Sequence, residues 1–197
     1  MILKDFKDSI GIFENALTKK QCEDMILLHN TATDRVYEGN TSGGVQKQYK
    51  DTTDLELTID EGAILSAASN KCIEEYVCQF GHLDEYDPFQ LFGDGTHYPH
   101  WQVQRYKRNE GHYIGHHTEE NHIQSTSNRL FVSMFYLNDV KEGGHTLFPY
   151  SDLKIQPKQG TFLCWPAGWP WVHAADIPKS NDKYIATSWL VADWETL

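Results

Sequence analysis

The stretch Arg129-Leu-Phe-Val-Ser-Met-Phe-Tyr-Leu-Asn138 leads through a short turn into Glu142-Gly-Gly-His-Thr-Leu-Phe-Pro149. An apolar run of this length, rich in aromatic and branched residues and followed by a Gly-Gly pair, is typical of a β-strand and its turn. Comparable runs follow one another at close spacing and predict seven strands, at 101–107, 112–118, 129–137, 153–156, 160–165, 171–175 and 183–193. This half of the chain is therefore predicted to form a set of short strands joined by turns.

The amino-terminal half of the chain predicts two helices. Thr18 stands three residues before Gln21, which is the spacing of a capping box, so a helix is expected to begin there after a strand at 9–16. A second helix is predicted over 59–80, and its apolar face carries Ile64, Leu65, Ala68, Cys72, Ile73, Tyr76 and Phe80. The polar segment 31–53 is expected to be a loop with a strand near its end, and 81–100 is expected to be a long loop; both are long enough to act as lids.

Two helices followed by seven short strands indicate an α+β fold. We expect the amino-terminal helices to pack on one sheet of a β-sandwich or of a double-stranded β-helix (jelly roll) core. A chain of 197 residues suits one domain. The prediction is a single domain over 1–197, with a helical and loop support region at 1–100 and the jelly-roll core at 101–193.

The composition argues against several kinds of partner. With 17 Lys and Arg against 28 Asp and Glu, the formal net charge is −11, which disfavours nucleic acid and anionic membranes. The sequence contains no apolar run long enough for a membrane span and no signal-peptide pattern at its start. The cysteines form no CxxC motif, so reduced thiols in a cytoplasmic compartment are expected. No extended apolar helix or heptad suggests self-association, so a monomer is expected.

A histidine-rich segment suggests a metal site. Six of the ten histidines fall between 97 and 122, and Gly111-His-Tyr-Ile-Gly-His-His-Thr-Glu119 contains a His-x-Glu pair. On a strand, His117 and Glu119 point the same way, so they can present one nitrogen and one oxygen to a single ion. A histidine from a later strand, with His173 as the best candidate, would complete a facial triad that suits Fe(II). A second register remains open, in which His116 is the ligand and Thr118 stands at the carboxylate position.

Further motifs follow in a fixed order. Ile155-Gln-Pro-Lys-Gln-Gly-Thr-Phe-Leu-Cys-Trp-Pro166 is a strand pair around a turn, Trp169-Pro-Trp-Val-His173 comes next, and Lys183-Tyr-Ile-Ala-Thr-Ser-Trp189 follows. Together with the His-x-Glu pair and the Gly-Gly-x-Thr-x-Phe-Pro loop, this order resembles the prolyl 4-hydroxylase type of 2-oxoglutarate- and Fe(II)-dependent dioxygenases, most of all the compact phage and viral forms. The resemblance covers about 100 to 190 strongly.

The resemblance implies an enzyme and assigns roles to residues. Its cofactors would be Fe(II), held by the metal ligands His117, Glu119 and His173, with 2-oxoglutarate and O2 as co-substrates and ascorbate as a further reductant. Lys183 would pair with the distal carboxylate of 2-oxoglutarate, with the Tyr106 and Tyr136 hydroxyls helping to hold it, and His117, Glu119, His173 and Lys183 would be the catalytic set. Trp165, Trp169, Trp171 and Trp189 are candidates for the walls of the site.

The implied reaction is hydroxylation of an unactivated C–H, with a prolyl residue in a peptide or protein as the favoured substrate and succinate and CO2 as products. The implied location is the cytoplasm, which for a phage-encoded chain is that of the host. The alternatives are a non-catalytic jelly-roll binding module, or a dioxygenase acting on another side chain, a free amino acid or a nucleobase. The family usually has His-x-Asp where this chain has His117-Thr118-Glu119, so the position of the ion and the register both depend on Glu119.

Overall fold

The computed structural model of the chain describes residues 1–80, 96–120 and 128–192. Most of the predicted loop 81–100, His122 and the last residue of the predicted strand 183–193 lie outside the described residues. Within the described ranges, neither helix combines the length and the apolar character that crossing a membrane requires.

Both predicted helices form, and each begins at a capping box. Helix α1 spans Lys19–Thr31, and the Thr18 side chain accepts a hydrogen bond from the Gln21 backbone while the Gln21 side chain accepts one from the Thr18 N–H. Helix α2 spans Ile59–Cys78 and repeats this arrangement with Thr58 and Glu61. Such reciprocal bonds satisfy backbone donors that the first turn of a helix leaves unpaired, which fixes both starting points.

The strands are mostly short and pair antiparallel. They are β1 Ile2–Lys7, β2 Ile10–Glu14, β3 Tyr37–Glu38, β4 Lys50–Asp51, β5 Thr53–Glu56, β6 Thr96–His97, β7 Gln102–Tyr106, β8 His112–His117, β9 Arg129–Tyr136, β10 Thr146–Phe148, β11 Leu153–Ile155, β12 Phe162–Pro166, β13 His173–Ala175 and β14 Lys183–Ala192. A nine-stranded sheet has the order β1-β2-β12-β9-β14-β7-β5-β3, with β6 paired to β14. A five-stranded sheet has the order β11-β10-β13-β8-β4.

Two apolar clusters hold these layers together. The first joins the helices to the nine-stranded sheet, and it contains Cys22 of α1, Leu65 and Tyr76 of α2, and Phe135 and Phe162 of the sheet, all fully buried. The second cluster lies between the two sheets and joins side chains such as Trp165 and Ile185 to Phe148 and Ile155. Full burial of each large apolar side chain contributes about 1.5–3 kcal/mol. The predicted α+β jelly roll with helices on one sheet is confirmed.

The sequence prediction missed β1, β3, β6 and β10, and it expected one strand near the end of 31–53, where β4 and β5 form. Strand β1 was not predicted, because three charged residues interrupt its apolar pattern and it is a largely exposed edge strand. Strand β10 has only three residues, and it follows Gly143 and Gly144, whose positive φ angles of 68° and 71° turn the chain sharply into it. This turn carries Thr146 into the space between the sheets. The division of the chain into 1–100 and 101–193 stays a prediction.

Candidate metal centre

Three of the predicted site residues meet between the sheets. His117 ends β8 and is the direct register partner of His173, which begins β13, and their ring centroids lie 4.3 Å apart. Glu119 follows β8, and its Oε1 lies 3.6 Å from His117 Nε2 and 3.4 Å from His173 Nε2. The candidate ligand atoms of these three residues, called the triad below, all lie within 4.8 Å of one another.

Backbone contacts orient both imidazole rings. His117 Nδ1 lies 2.7 Å from the carbonyl oxygen of Gly115, and His173 Nδ1 lies 3.1 Å from that of Trp171. When Nδ1–H donates to a carbonyl oxygen, the lone pair of Nε2 is left to bind a metal. Tyr113 further fixes the first ring by stacking on His117 at 3.8 Å between ring centroids.

The Glu119 carboxylate is held at both of its oxygens. Its Oε2 accepts hydrogen bonds from Arg129 Nη1 at 3.1 Å and Trp189 Nε1 at 3.0 Å, while Oε1 faces the two histidines. Burial alone would raise the pKa of Glu119, but hydrogen bonds and charge from His117 and His173 in their protonated forms, before a metal takes the place of the Nε2 protons, hold that pKa well below its ordinary value. The carboxylate is therefore ionised, as a metal ligand must be.

The structure distinguishes the two ligand assignments that the sequence left open, His117 with Glu119 or His116 with Thr118. His116 is exposed, whereas His117 and Glu119 line the internal cavity. The Thr118 hydroxyl donates to the Glu120 carbonyl oxygen at 2.9 Å, although Thr118 also contributes to the cavity wall. The alternation of β8 thus brings His117 rather than His116 to the triad.

A buried lysine lies in the same cavity. Lys183 begins β14, is 1% exposed, and has its Nζ 4.8 Å from the centroid of the Tyr106 ring, its register partner on β7. Burial lowers the pKa of Lys183 to about 7, and the charge of Asp176 opposes this shift. The Asp176 carboxylate is itself engaged by His145, with Oδ2 2.9 Å from His145 Nδ1.

The two predicted tyrosines differ in their relation to the cavity. Tyr106 lines it, and its hydroxyl donates to Gln104 Oε1 at 3.2 Å. Tyr136 is fully buried beside the cavity rather than in its wall, and its hydroxyl donates to Thr146 Oγ1 at 2.6 Å. Thr146 does line the cavity. Tyr136 therefore reaches the site through Thr146.

The cavity that contains the triad and Lys183 has a volume of about 410 Å³. Its lining includes Asn40, Thr41 and Ser42 from the predicted loop 31–53. Lys50 also lines the cavity, with its Nζ 2.8 Å from Asp54 Oδ2 in a buried ion pair. Sequence reasoning missed this pair and Arg129, because no spacing rule connects them to the His-x-Glu motif.

The candidate tryptophans divide into two pairs. Trp165 and Trp189 line the cavity. Trp169 is 75% exposed, and Trp171 donates its indole N–H to the carbonyl oxygen of Asp8 at 2.7 Å. The first pair therefore forms walls, and the second lies outside.

The ligand atoms of the triad fit the Fe(II) ion that the sequence suggests. Two imidazole nitrogens and one carboxylate oxygen on one side of a cavity are the facial arrangement that suits Fe(II) and leaves coordination positions open. A buried cation further along the same cavity fits a co-substrate that carries a second carboxylate.

Comparison with known proteins decides the family. The model of the 2OG-Fe(II) oxygenase superfamily matches residues 101–191, which include the whole triad and Lys183. Residues 101–191 belong to the 2OG-Fe(II) oxygenase superfamily. The predicted family is thus confirmed, and so are the cofactors that this family uses, namely Fe(II), 2-oxoglutarate and O2.

Relatives of this oxygenase domain are prolyl hydroxylases. The chain is 35% identical over 72 residues to prolyl 4-hydroxylase subunit alpha-1 of Gallus gallus, a match that spans 33% of this chain and 14% of that subunit. The viral collagen prolyl hydroxylase of Paramecium Bursaria Chlorella virus-1, solved as a 2OG complex, has a TM-score of 0.66 and 22% identity, covering 94% of this chain and 97% of that one.

A further solved structure has the same fold as this oxygenase. The prolyl hydroxylase of Trichoplax adhaerens, in complex with a peptide fragment of the hypoxia inducible factor oxygen degradation domain, has a TM-score of 0.69 and 19% identity. The alignment covers 93% of this chain and 84% of that one. At sequence identities this low, the structural similarity establishes a shared fold alone.

Proposed function

We propose that the protein uses Fe(II), 2-oxoglutarate and O2 to hydroxylate an unactivated C–H of a prolyl residue in a peptide or protein, releasing succinate and CO2. The observation that carries this proposal is the presence of the triad and of buried Lys183 in one cavity of the oxygenase domain. When bound, the iron and its co-substrates supply the oxidising chemistry, and the protein supplies binding, orientation and shielding.

Each group of the site has a separate task in this proposal. His117 Nε2, His173 Nε2 and Glu119 Oε1 hold the metal ion, because their other polar atoms are already engaged. Lys183 pairs as an ammonium with the distal carboxylate of 2-oxoglutarate, with the Tyr106 and Thr146 hydroxyls nearby. Apolar wall residues limit the access of water, and they include Val132, Met134, Trp165 and Ile185.

One part of the cavity lining supports a peptide substrate. It presents uncharged hydrogen-bonding groups from Asn40, Thr41, Ser42 and Gln102, which suit a peptide backbone and a neutral side chain. The names of the relatives and the peptide bound to the Trichoplax adhaerens enzyme support the same substrate class.

The metal centre is tested first by anaerobic addition of Fe(II) and then 2-oxoglutarate. A visible metal-to-ligand charge-transfer band should appear in the wild type and vanish in His117→Ala and His173→Ala. A folded wild-type protein that gives no band would contradict the proposal.

The substrate is tested by succinate release in air. A proline-containing peptide should stimulate succinate release above the uncoupled level, and mass spectrometry should show a gain of one oxygen on the proline. The matched control is the same peptide with alanine for proline. Stimulation by a lysine peptide, free proline or a methylated nucleobase instead would replace the prolyl assignment while keeping the oxygenase.

We further propose that the protein is a monomer in a reducing, cytoplasmic compartment. All four cysteines are free thiols, and Cys22, Cys72 and Cys164 are buried, which agrees with a reducing environment. Light scattering coupled to gel filtration tests the monomer, and a mass twice that of the chain would contradict it.

A further inference from the structure

Glu119 bridges the two sheets through its carboxylate. The two histidines that face Oε1 belong to β8 and β13 of the five-stranded sheet. The donors to Oε2, Arg129 and Trp189, belong to the adjacent strands β9 and β14 of the nine-stranded sheet. The carboxylate therefore spans a gap whose width is set by the packing of the sheets.

The two donors are rigidly placed. The Arg129 guanidinium lies 3.6 Å from the centroid of the Trp189 ring, so each side chain restricts the other. Arg129 Nη1 also donates to the backbone carbonyl oxygen of Glu119 at 2.9 Å, and the Glu119 N–H donates to Ala167 O at 3.0 Å. The Glu119 backbone is thus fixed, so the length of the side chain alone decides what its carboxylate can reach.

An aspartate at this position would be shorter by one methylene, about 1.5 Å of chain. With the backbone held, its carboxylate could contact either the Arg129 and Trp189 donors or a metal between His117 and His173. It could not do both as glutamate does.

We propose that Arg129 and Trp189 are positioning residues that make the site selective for glutamate, by holding Oε2 so that Oε1 alone is presented to the metal. This inference rests on the metal centre proposed above. The inference explains why this chain has glutamate rather than aspartate at position 119. A carboxylate held by Arg129 and Trp189 reaches the metal only if its side chain has the length of glutamate.

The test is a mutant cycle read as Co(II) affinity from visible d–d absorption, without turnover. Glu119→Asp alone should weaken Co(II) binding about 10- to 100-fold, the range usual for loss of a partner that orients a ligand. In a background that lacks both donors, Arg129→Met with Trp189→Phe, the same Glu119→Asp change should weaken binding by less than about threefold, because nothing holds the carboxylate away.

Matched controls separate this effect from general loss of hydrogen bonds. Trp101→Phe removes an indole bond to Ser66, and Arg35→Met removes a guanidinium pair with Glu61, both outside the cavity. In these backgrounds the full Glu119→Asp penalty should remain. If the doubly substituted background does not fold, Trp189→Phe alone, which keeps an aromatic ring but removes the N–H donor, should still reduce the penalty severalfold.

Two outcomes would overturn the inference in distinguishable ways. An equal Glu119→Asp penalty with and without the donors would show that Arg129 and Trp189 do not set the ligand length, while the metal centre stands. A folded wild-type protein that binds no Co(II) would instead remove the metal centre itself, and this inference with it.

Discussion

Replacing Lys183 by methionine removes a buried charge while keeping most of the side-chain volume. The Lys183 ammonium is 1% exposed and shares its cavity with the triad. A hydrogen bond to a charged group contributes about 1.5–3 kcal/mol. Since each 1.4 kcal/mol is tenfold in affinity, Lys183→Met should raise the Kd for 2-oxoglutarate by about 10- to 150-fold.

The assay is anaerobic titration of the Fe(II) protein with 2-oxoglutarate, followed by the charge-transfer band. Lys154→Met is the matched control, since Lys154 is 58% exposed and lies 3.7 Å from Asp176. Its Kd should stay within about twofold of the wild type, because exposed ion pairs are weak. An unchanged Kd in Lys183→Met would refute the assignment of Lys183 to the co-substrate carboxylate.

The pH dependence follows from the pKa of Lys183, which burial lowers to about 7. Above pH 7 the free protein carries mostly the neutral amine, so binding a dianion must take up a proton. The Kd should therefore rise with pH above 7, approaching tenfold per pH unit. Lys183→Arg, whose guanidinium stays protonated, should show a flat profile. A wild-type Kd that is independent of pH from 6.5 to 8.5 would contradict this reasoning.

The same pKa shift predicts the effect on stability. The folded state holds the Lys183 proton less tightly than the unfolded state, so wild-type stability should rise as pH increases from about 7 towards 10.5. The cost of burying the ammonium is fully present below pH 7. Lys183→Met removes that cost, so its free energy of unfolding at pH 6 should exceed that of the wild type in urea titrations. A lower value would indicate that the ammonium is already stabilised by the protein.

Three further predictions concern the rest of the cavity. Alanine at any one triad position should abolish the charge-transfer band and turnover, whereas His116→Ala should leave both within about twofold, since exposed positions away from a site rarely contribute. Lys50→Met should destabilise the fold by about 3 kcal/mol in urea titrations by leaving Asp54 buried without its ion-pair partner, and a loss below 1 kcal/mol would contradict this. Tyr136→Phe should cost about 1 kcal/mol through the bond to Thr146 and raise the Kd for 2-oxoglutarate less than Lys183→Met does; a larger rise would place Tyr136 in direct contact with the ligand.

Most of the fold could be predicted because its signals are local. Thr18 with Gln21 marks the start of α1 within one residue, since a capping box depends on residues three apart. The seven strands predicted in 101–193 all form, because runs of branched and aromatic residues between turns are strong signals. Strand β1 was missed because its pairing with β2 is what stabilises it, and its own charged sequence does not show that pairing.

The site residues could likewise be predicted only where the sequence carries a signal for them. His117 and Glu119 could be paired from an i, i+2 spacing, and His173 was the best candidate on a later strand, whereas Lys183 followed from the family resemblance. Arg129 could not be connected to Glu119, because Arg129 begins a different strand 10 positions further along the chain, and only the pairing of β9 with β14 brings Arg129 beside Trp189.

Sheet register explains how both the triad and Lys183 come to line the cavity. His117 is the direct partner of His173 in the five-stranded sheet, and Lys183 is the direct partner of Tyr106 in the nine-stranded sheet. A slip of one residue in either pairing would turn those side chains to the opposite face. The same burial that fixes the register also removes water from the Lys183 ammonium and the Glu119 carboxylate. The strand pairing and burial that stabilise the jelly roll therefore also create the conditions for binding a metal ion and the 2-oxoglutarate dianion. The cost is that the Lys183 ammonium is buried without a partner anion when 2-oxoglutarate is not bound.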